Sequence, residues 1–233
     1  MATEHVWFRR VGLAIPSGRP ELVRFYGGLL GRRPESIGPG AVAFEVGETV
    51  LELSESQGSP FYHFAFLVPG DRFDAALAWA AAHVEVLPDQ TTGEAVFEFT
   101  NWDARAVYFH DPAGSIVELI AHHGIAEEGT TGAFSPSELL GLSEIGLVCD
   151  PPSLASLLEQ ELGVEVWDGT VVGDGRLAFA GEKARTLILC RAGRPWLPTG
   201  RPAEAHPVDV TLAGPAPGSV LVDATGAVSV TAS

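Results

Sequence analysis

Cysteine is scarce in this 233-residue sequence, basic residues are few, and no apolar run is long. The two cysteines, Cys149 and Cys190, sit inside the apolar runs IGLVC and TLILC, which reads as buried free thiols rather than as a disulfide framework. Lys and Arg total 14 against 30 Asp and Glu, a formal net charge of −16 that repels phosphate backbones and anionic membranes and argues against a nucleic-acid partner. No segment approaches the roughly 20 apolar residues needed to cross a bilayer. The opening MATEHVWFRR lacks the apolar stretch of a signal peptide, so a cytoplasmic protein without membrane contact is expected. What the sequence does have is a globular composition, 46% hydrophobic and 19% charged, sufficient for one large core or two smaller ones.

Internal repetition fixes the architecture more firmly than local propensity does. VGLAI, the helical PELVRFYGGLLG, AVAFEV and TVLELSE form one unit; IGLVC, SLASLLEQELG, RLAFAG and TLILCR form another. In both, an apolar run precedes a segment whose apolar residues recur three and four apart, closed by Gly31 or Gly163. Strand-like segments follow, so each unit reads βαβββ. A third copy lies between them, from HFAFLV through FDAALAWAAAHV to AVYFHD and SIVELI, with DPAG as a tight turn. The tail from His206 alternates like strands but carries no helical segment, which predicts a truncated fourth copy. The aperiodic stretch 124–141 suits a linker, giving a complete two-module domain over 1–123 and a second domain over 142–233 with one module plus the truncated one.

FYGGLLG at Phe25 to Gly31, YHFAFLV at Tyr62 to Val68 and YFHDPAGSIVELI at Tyr108 to Ile120 resemble the vicinal-oxygen-chelate superfamily, which includes glyoxalase I, bleomycin-resistance proteins and extradiol dioxygenases. The resemblance is close over the first half of the chain and looser beyond. It implies an α+β fold whose βαβββ modules pair into a cup-shaped mixed β-sheet with flanking helices. It also implies a divalent metal held in the cup by inward side chains. Period-two alternation explains how: one strand presents one ligand and keeps apolar neighbours on its other face. Carried over residue by residue, the ligand positions fall on Arg10, Glu52, His63 and Glu118.

Arginine offers no lone pair, so the implied ligand set is Glu52, His63 and Glu118, with Fe, Ni, Zn, Mn or Mg as the ion. Arg10 then pairs with Glu52 or clamps a substrate anion. Glu118 and Tyr108 are the catalytic candidates, and Trp102 joins Arg10 as substrate-binding. Glu144 and Ile188, matching Arg10 and Glu52 in the later unit, give no ligand set there. Each choice has a plainer structural alternative. His63 reads equally as a core histidine, Tyr108 and His110 as a core tyrosine and a surface histidine, and His122 and His123 as strand-end residues. The Pro-rich stretch around Trp196 reads as a packing arm or as a lid over the pocket. Two functions stay open: a metal-dependent glyoxalase- or dioxygenase-like enzyme acting on a small molecule with vicinal oxygens, or a metal-free binding protein of the bleomycin-resistance kind in which Arg10 supplies the positive charge. A homodimer is expected in either case.

Overall fold

In a computed structural model, which describes residues 6–173, 175–222 and 228–232, the helices begin and end where the sequence punctuates them. Helix α1 (Pro20–Leu30) opens on proline, buries Leu22, Tyr26, Leu29 and Leu30, and stops at Gly31 in the left-handed region at φ 60°. Helix α3 (Pro151–Leu162) repeats this pattern, with the Asp150 side chain accepting from the Ser153 N–H and Gly163 at φ 66°. Between them, α2 (Phe73–His83) is Ala-rich and buries Phe73, Ala76 and Ala80. Each buried leucine of α1 and α3 contributes about 1.5–3 kcal/mol.

The strands follow the same units. The first unit supplies β1 (Trp7–Pro16), β2 (Glu35–Gly38), β3 (Ala41–Val46) and β4 (Thr49–Ser56). The second supplies β5 (His63–Val68), β6 (Val86–Leu87), β7 (Phe97–Phe99), β8 (Ala104–His110) and β9 (Ile116–His122). The third supplies β10 (Gly141–Val148), β11 (Val166–Gly169), β12 (Ala178–Glu182) and β13 (Arg185–Cys190), and the helix-less fourth supplies β14 (Val208–Ala213), β15 (Gly218–Val222) and β16 (Val228–Ala232). Residues 1–5, part of the opening segment read for a signal peptide, and 223–227, part of the truncated unit, lie outside the described residues.

These units form two mixed sheets with the α+β architecture expected, but not with the expected partners. The seven-stranded sheet, in the order β15-β16-β14-β1-β4-β3-β2, joins the first unit to the fourth. The other sheet, β11-β12-β13-β10-β5-β9-β8-β6 with β7 on β8, joins the second unit to the third. A division into 1–123 and 142–233 therefore cuts through both sheets. The linker supplies the physical reason. Arg72 holds it down, donating to Glu138 at 2.7 Å and to the carbonyls of Thr130 and Gly132 at 3.1 Å each. The chain is thereby returned along the open edge of β5, where the Leu140 N–H meets the Leu67 carbonyl at 2.9 Å and β10 pairs antiparallel with β5. The open edge of β1 is left for β14.

The first and second units still touch through other groups. The Tyr26 hydroxyl of α1 donates to Asp111 at 2.7 Å, while the other oxygen of Asp111 accepts the N–H groups of Ala113 and Ser115 and closes the DPAG turn. One apolar cluster fills the space between the helices and both sheets; a second, including Phe61, Ala65, Tyr108, Ile188 and Trp196, fills the cup of the nine-stranded sheet. Cys149 packs against the first cluster and Cys190 in the second, on opposite faces of the sheet, and both thiols are free. Among the described residues, no helix is long and apolar enough to cross a membrane.

Candidate metal centre

Strand register brings the chemistry into one row. Tyr108 on β8 lies beside Glu118 on β9, Glu118 beside Ala65 on β5, and Ala65 beside Glu144 on β10. Registered neighbours point to the same face, so both carboxyl groups enter the cup, two strand spacings or about 9.5 Å apart at the backbone. The single methyl of Ala65 leaves the space between them open. His63, two residues before Ala65, projects to that same face. His63, Glu118 and Glu144 are all buried and can each offer one ligand atom, all within 4.8 Å of one another.

The histidine is prepared for ligation. Its Nδ1 lies 3.2 Å from the Ile116 carbonyl, which can only accept, so that nitrogen carries the proton and Nε2 presents its lone pair to the cup. Burial, opposed by this hydrogen bond and assisted by Arg194, pushes the imidazole pKa down to about 4, so the ring is neutral at pH 7. Nε2 stands 3.6 Å from Glu118 Oε2. That is the spacing of two atoms sharing a metal at about 2.1 Å from each.

The carboxyl groups are short of partners. Burial pushes Glu144 up to about 8, and its Oε1 is buried without a hydrogen-bond donor. Glu118 is raised well above the usual carboxylate range by burial and by the charge of Glu144, against a hydrogen bond from Tyr108. Tyr108 itself is pushed well above the ordinary phenol value, by burial first and then by the two glutamates. Buried acids stacked this closely must hold protons or a cation. An orphaned carboxylate oxygen, a lone pair aimed inward and a second carboxylate fit a divalent ion.

The rest of the expected set is placed elsewhere. Glu52 lies on β4 in the other sheet and accepts from Arg10 Nη1 at 2.8 Å, while Arg10 Nη2 donates to Asp209 at 2.7 Å and Nε to Thr211 at 3.3 Å. Because β1 and β4 do not share a cup with β5 and β9, neither Glu52 nor Arg10 can reach His63. Glu52 is therefore corrected as a ligand, and Arg10 as a clamp for a substrate bound at His63. Glu144, not Glu52, is the second carboxylate that stands with His63 and Glu118, and the later unit, expected to be bare, contributes half of the cup. A signal for it existed: SEIGLV is a lone carboxylate in an apolar strand, as IVELI is for Glu118.

Trp102 does line the cavity beside this centre, with Phe99, Phe179, Arg194 and Trp196, and its indole N–H donates to Asp168. His122 is buried four residues beyond Glu118 on β9, its ring 6.2 Å from that of Trp102, and its pKa is pushed down to about 4, chiefly by burial. His110 and His123 are exposed. The cavity measures only about 70 Å³. A wider groove of about 650 Å³ runs between Trp7, Arg185 and the linker, but the carboxylates Glu48, Asp71 and Glu128 on its walls are exposed and Glu138 is held down by its ion pair with Arg72, so the unpaired buried groups lie in the small cavity.

The chain has the vicinal-oxygen-chelate fold. A candidate dioxygenase from Bacillus subtilis subsp. subtilis str. 168 superposes with a TM-score of 0.60 at 17% identity, covering 99% of this chain and 86% of that one. A mutant of glyoxalase I from Zea mays superposes with a TM-score of 0.52 at 15% identity, covering 97% and 92%. At these identities the likeness is one of fold. No protein-family model matches the sequence, and no curated protein does.

Proposed function

We propose that the protein is a metal-dependent enzyme acting on a small molecule with two adjacent oxygens, with His63, Glu118 and Glu144 as the protein ligands. The observation that carries this reading is the buried group itself: a neutral imidazole lone pair and two carboxyl groups within 4.8 Å, one carboxylate oxygen having no donor. Two carboxylates and one imidazole suit hard or borderline ions such as Mn, Fe(II), Ni, Zn or Mg. Held by these three residues, a divalent ion would supply Lewis-acid polarisation of the substrate oxygens.

The chain's own groups divide the remaining work. Tyr108 stays protonated at neutral pH and stands beside Glu118 across the β8–β9 pairing, which leaves it a proton donor rather than a base. Trp102 and Phe179, edge to face at 4.6 Å, form an apolar wall that excludes water and receives the body of the substrate. The competing reading, a metal-free binder using Arg10 as its fixed charge, has no support, because Arg10 is taken up by Glu52, Asp209 and Thr211 in the other sheet. The test is titration of chelator-stripped protein with Mn(II), Ni(II) and Zn(II). One equivalent should bind to wild type and none tightly to His63→Ala or Glu144→Gln. Binding that survives both substitutions sinks the assignment.

A further inference from the structure

Between β13 and β14 the chain belongs to neither sheet. Residues 193–203 fold back on themselves: Pro195 bridges Pro202, the Trp196 N–H meets the Arg201 carbonyl at 2.9 Å, and the Ala203 N–H meets the Arg194 carbonyl at 2.7 Å. This hairpin roofs the cup. Trp196, 4% exposed, sets its ring 5.0 Å from that of His63, while Leu197 lines the same cavity and is 48% exposed, marking the mouth.

With the hairpin seated, the cavity of about 70 Å³ has room for about two waters at ~30 Å³ each, far below the ~300–1,000 Å³ that organic ligands occupy. An organic ligand therefore displaces part of the hairpin and meets the side chains it carries. One of them is Arg194, the single cation among the described residues that line the cavity. Its Nη1 donates to the Pro195 carbonyl at 2.8 Å and its Nε to the Gly175 carbonyl at 3.4 Å, and no carboxylate among the described residues pairs with it. A half-buried guanidinium without a counter-ion costs stability unless a ligand completes it. Its planar fork matches an oxyanion.

We propose that Arg194 is a specificity-determining residue, selecting ligands that carry a carboxylate or similar anionic group on an aromatic body in addition to the two adjacent oxygens. The aromatic body follows from the walls, Phe99, Trp102, Phe179 and Trp196. This rests on the reading of the His63, Glu118 and Glu144 cup as the substrate site, but the contact itself needs no metal.

The test compares two probes that share vicinal hydroxyls and differ by one carboxylate, catechol and 3,4-dihydroxybenzoate. Both are titrated into the full chain with Zn(II), and again in chelator, with tryptophan fluorescence as the readout. Wild type should bind the carboxylate probe at least about tenfold more tightly. Arg194→Gln should bring the ratio close to one by weakening that probe alone, and Arg194→Lys should restore part of it. A preference that persists in chelator while Zn(II) fails to bind supports the role of Arg194 and removes the metal reading. Equal affinity of wild type for the two probes, or a preference that survives in Arg194→Gln, overturns the proposal.

Discussion

Replacing Glu144 with glutamine should stabilise the metal-free protein while abolishing its metal binding, and the stabilisation should grow with pH. The Glu144 carboxyl is held up at about 8 by burial, against an ordinary 4.5. The folded state thus retains a proton that the unfolded chain releases above 4.5, and stability falls as pH rises through that window. His63 and His122, pushed down to about 4, act in the opposite sense, mostly below their ordinary 6.5. Between pH 6.5 and 8 the acids set most of the slope, and what the histidines still add is common to wild type and Glu144→Gln. Over those 1.5 units, at about 1.36 kcal/mol per unit, Glu144 accounts for about 2 kcal/mol of lost stability. Glu118, raised partly by the charge of Glu144, pushes the wild type in the same direction. Urea unfolding in chelator at the two pH values measures the difference directly. The advantage of Glu144→Gln over wild type should widen by about 2 kcal/mol. A gap independent of pH, or one that narrows, refutes the reasoning about this buried acid.

Ala65→Val places branched carbon between Glu118 and Glu144, and should weaken Mn(II) binding by calorimetry at least about tenfold while costing ~1–3 kcal/mol of stability. Glu52→Gln removes one partner of a part-exposed Arg10 and should change urea stability by no more than ~1 kcal/mol, with metal stoichiometry untouched; loss of metal would restore Glu52 to the site. Tyr26→Phe strips Asp111 of a buried donor and should cost about 1–3 kcal/mol in urea unfolding, and retention of full stability would show that this contact adds nothing.

How far the sequence could be read depended on range. Helix boundaries were legible because their signals are local: Pro20 and Gly31, Pro151 and Gly163 mark the ends of α1 and α3. The inward aim of Glu118 and His63 was legible too, since alternation along a strand needs no knowledge of its neighbours. Strand partnership was not. Whether β5 meets β1 or β10 depends on long-range packing, the contacts of Arg72 with Glu138, Thr130 and Gly132 included, and no local pattern encodes that. The error in the site follows from this one. With β5 paired to β1, the carboxylate expected beside His63 and Glu118 is Glu52; with β5 paired to β10, it is Glu144. Trp102 came out beside the centre because β8 and β9 belong to the same unit and keep their order in either arrangement.

Anomalous diffraction from crystals grown with Mn(II) is the most direct test of the proposed metal centre. One strong peak should lie within ligand distance, about 2.0–2.3 Å, of His63 Nε2, Glu118 and Glu144. A peak at Glu52 and Asp209 instead, or none in the nine-stranded cup at saturating Mn(II), would contradict the assignment of the site.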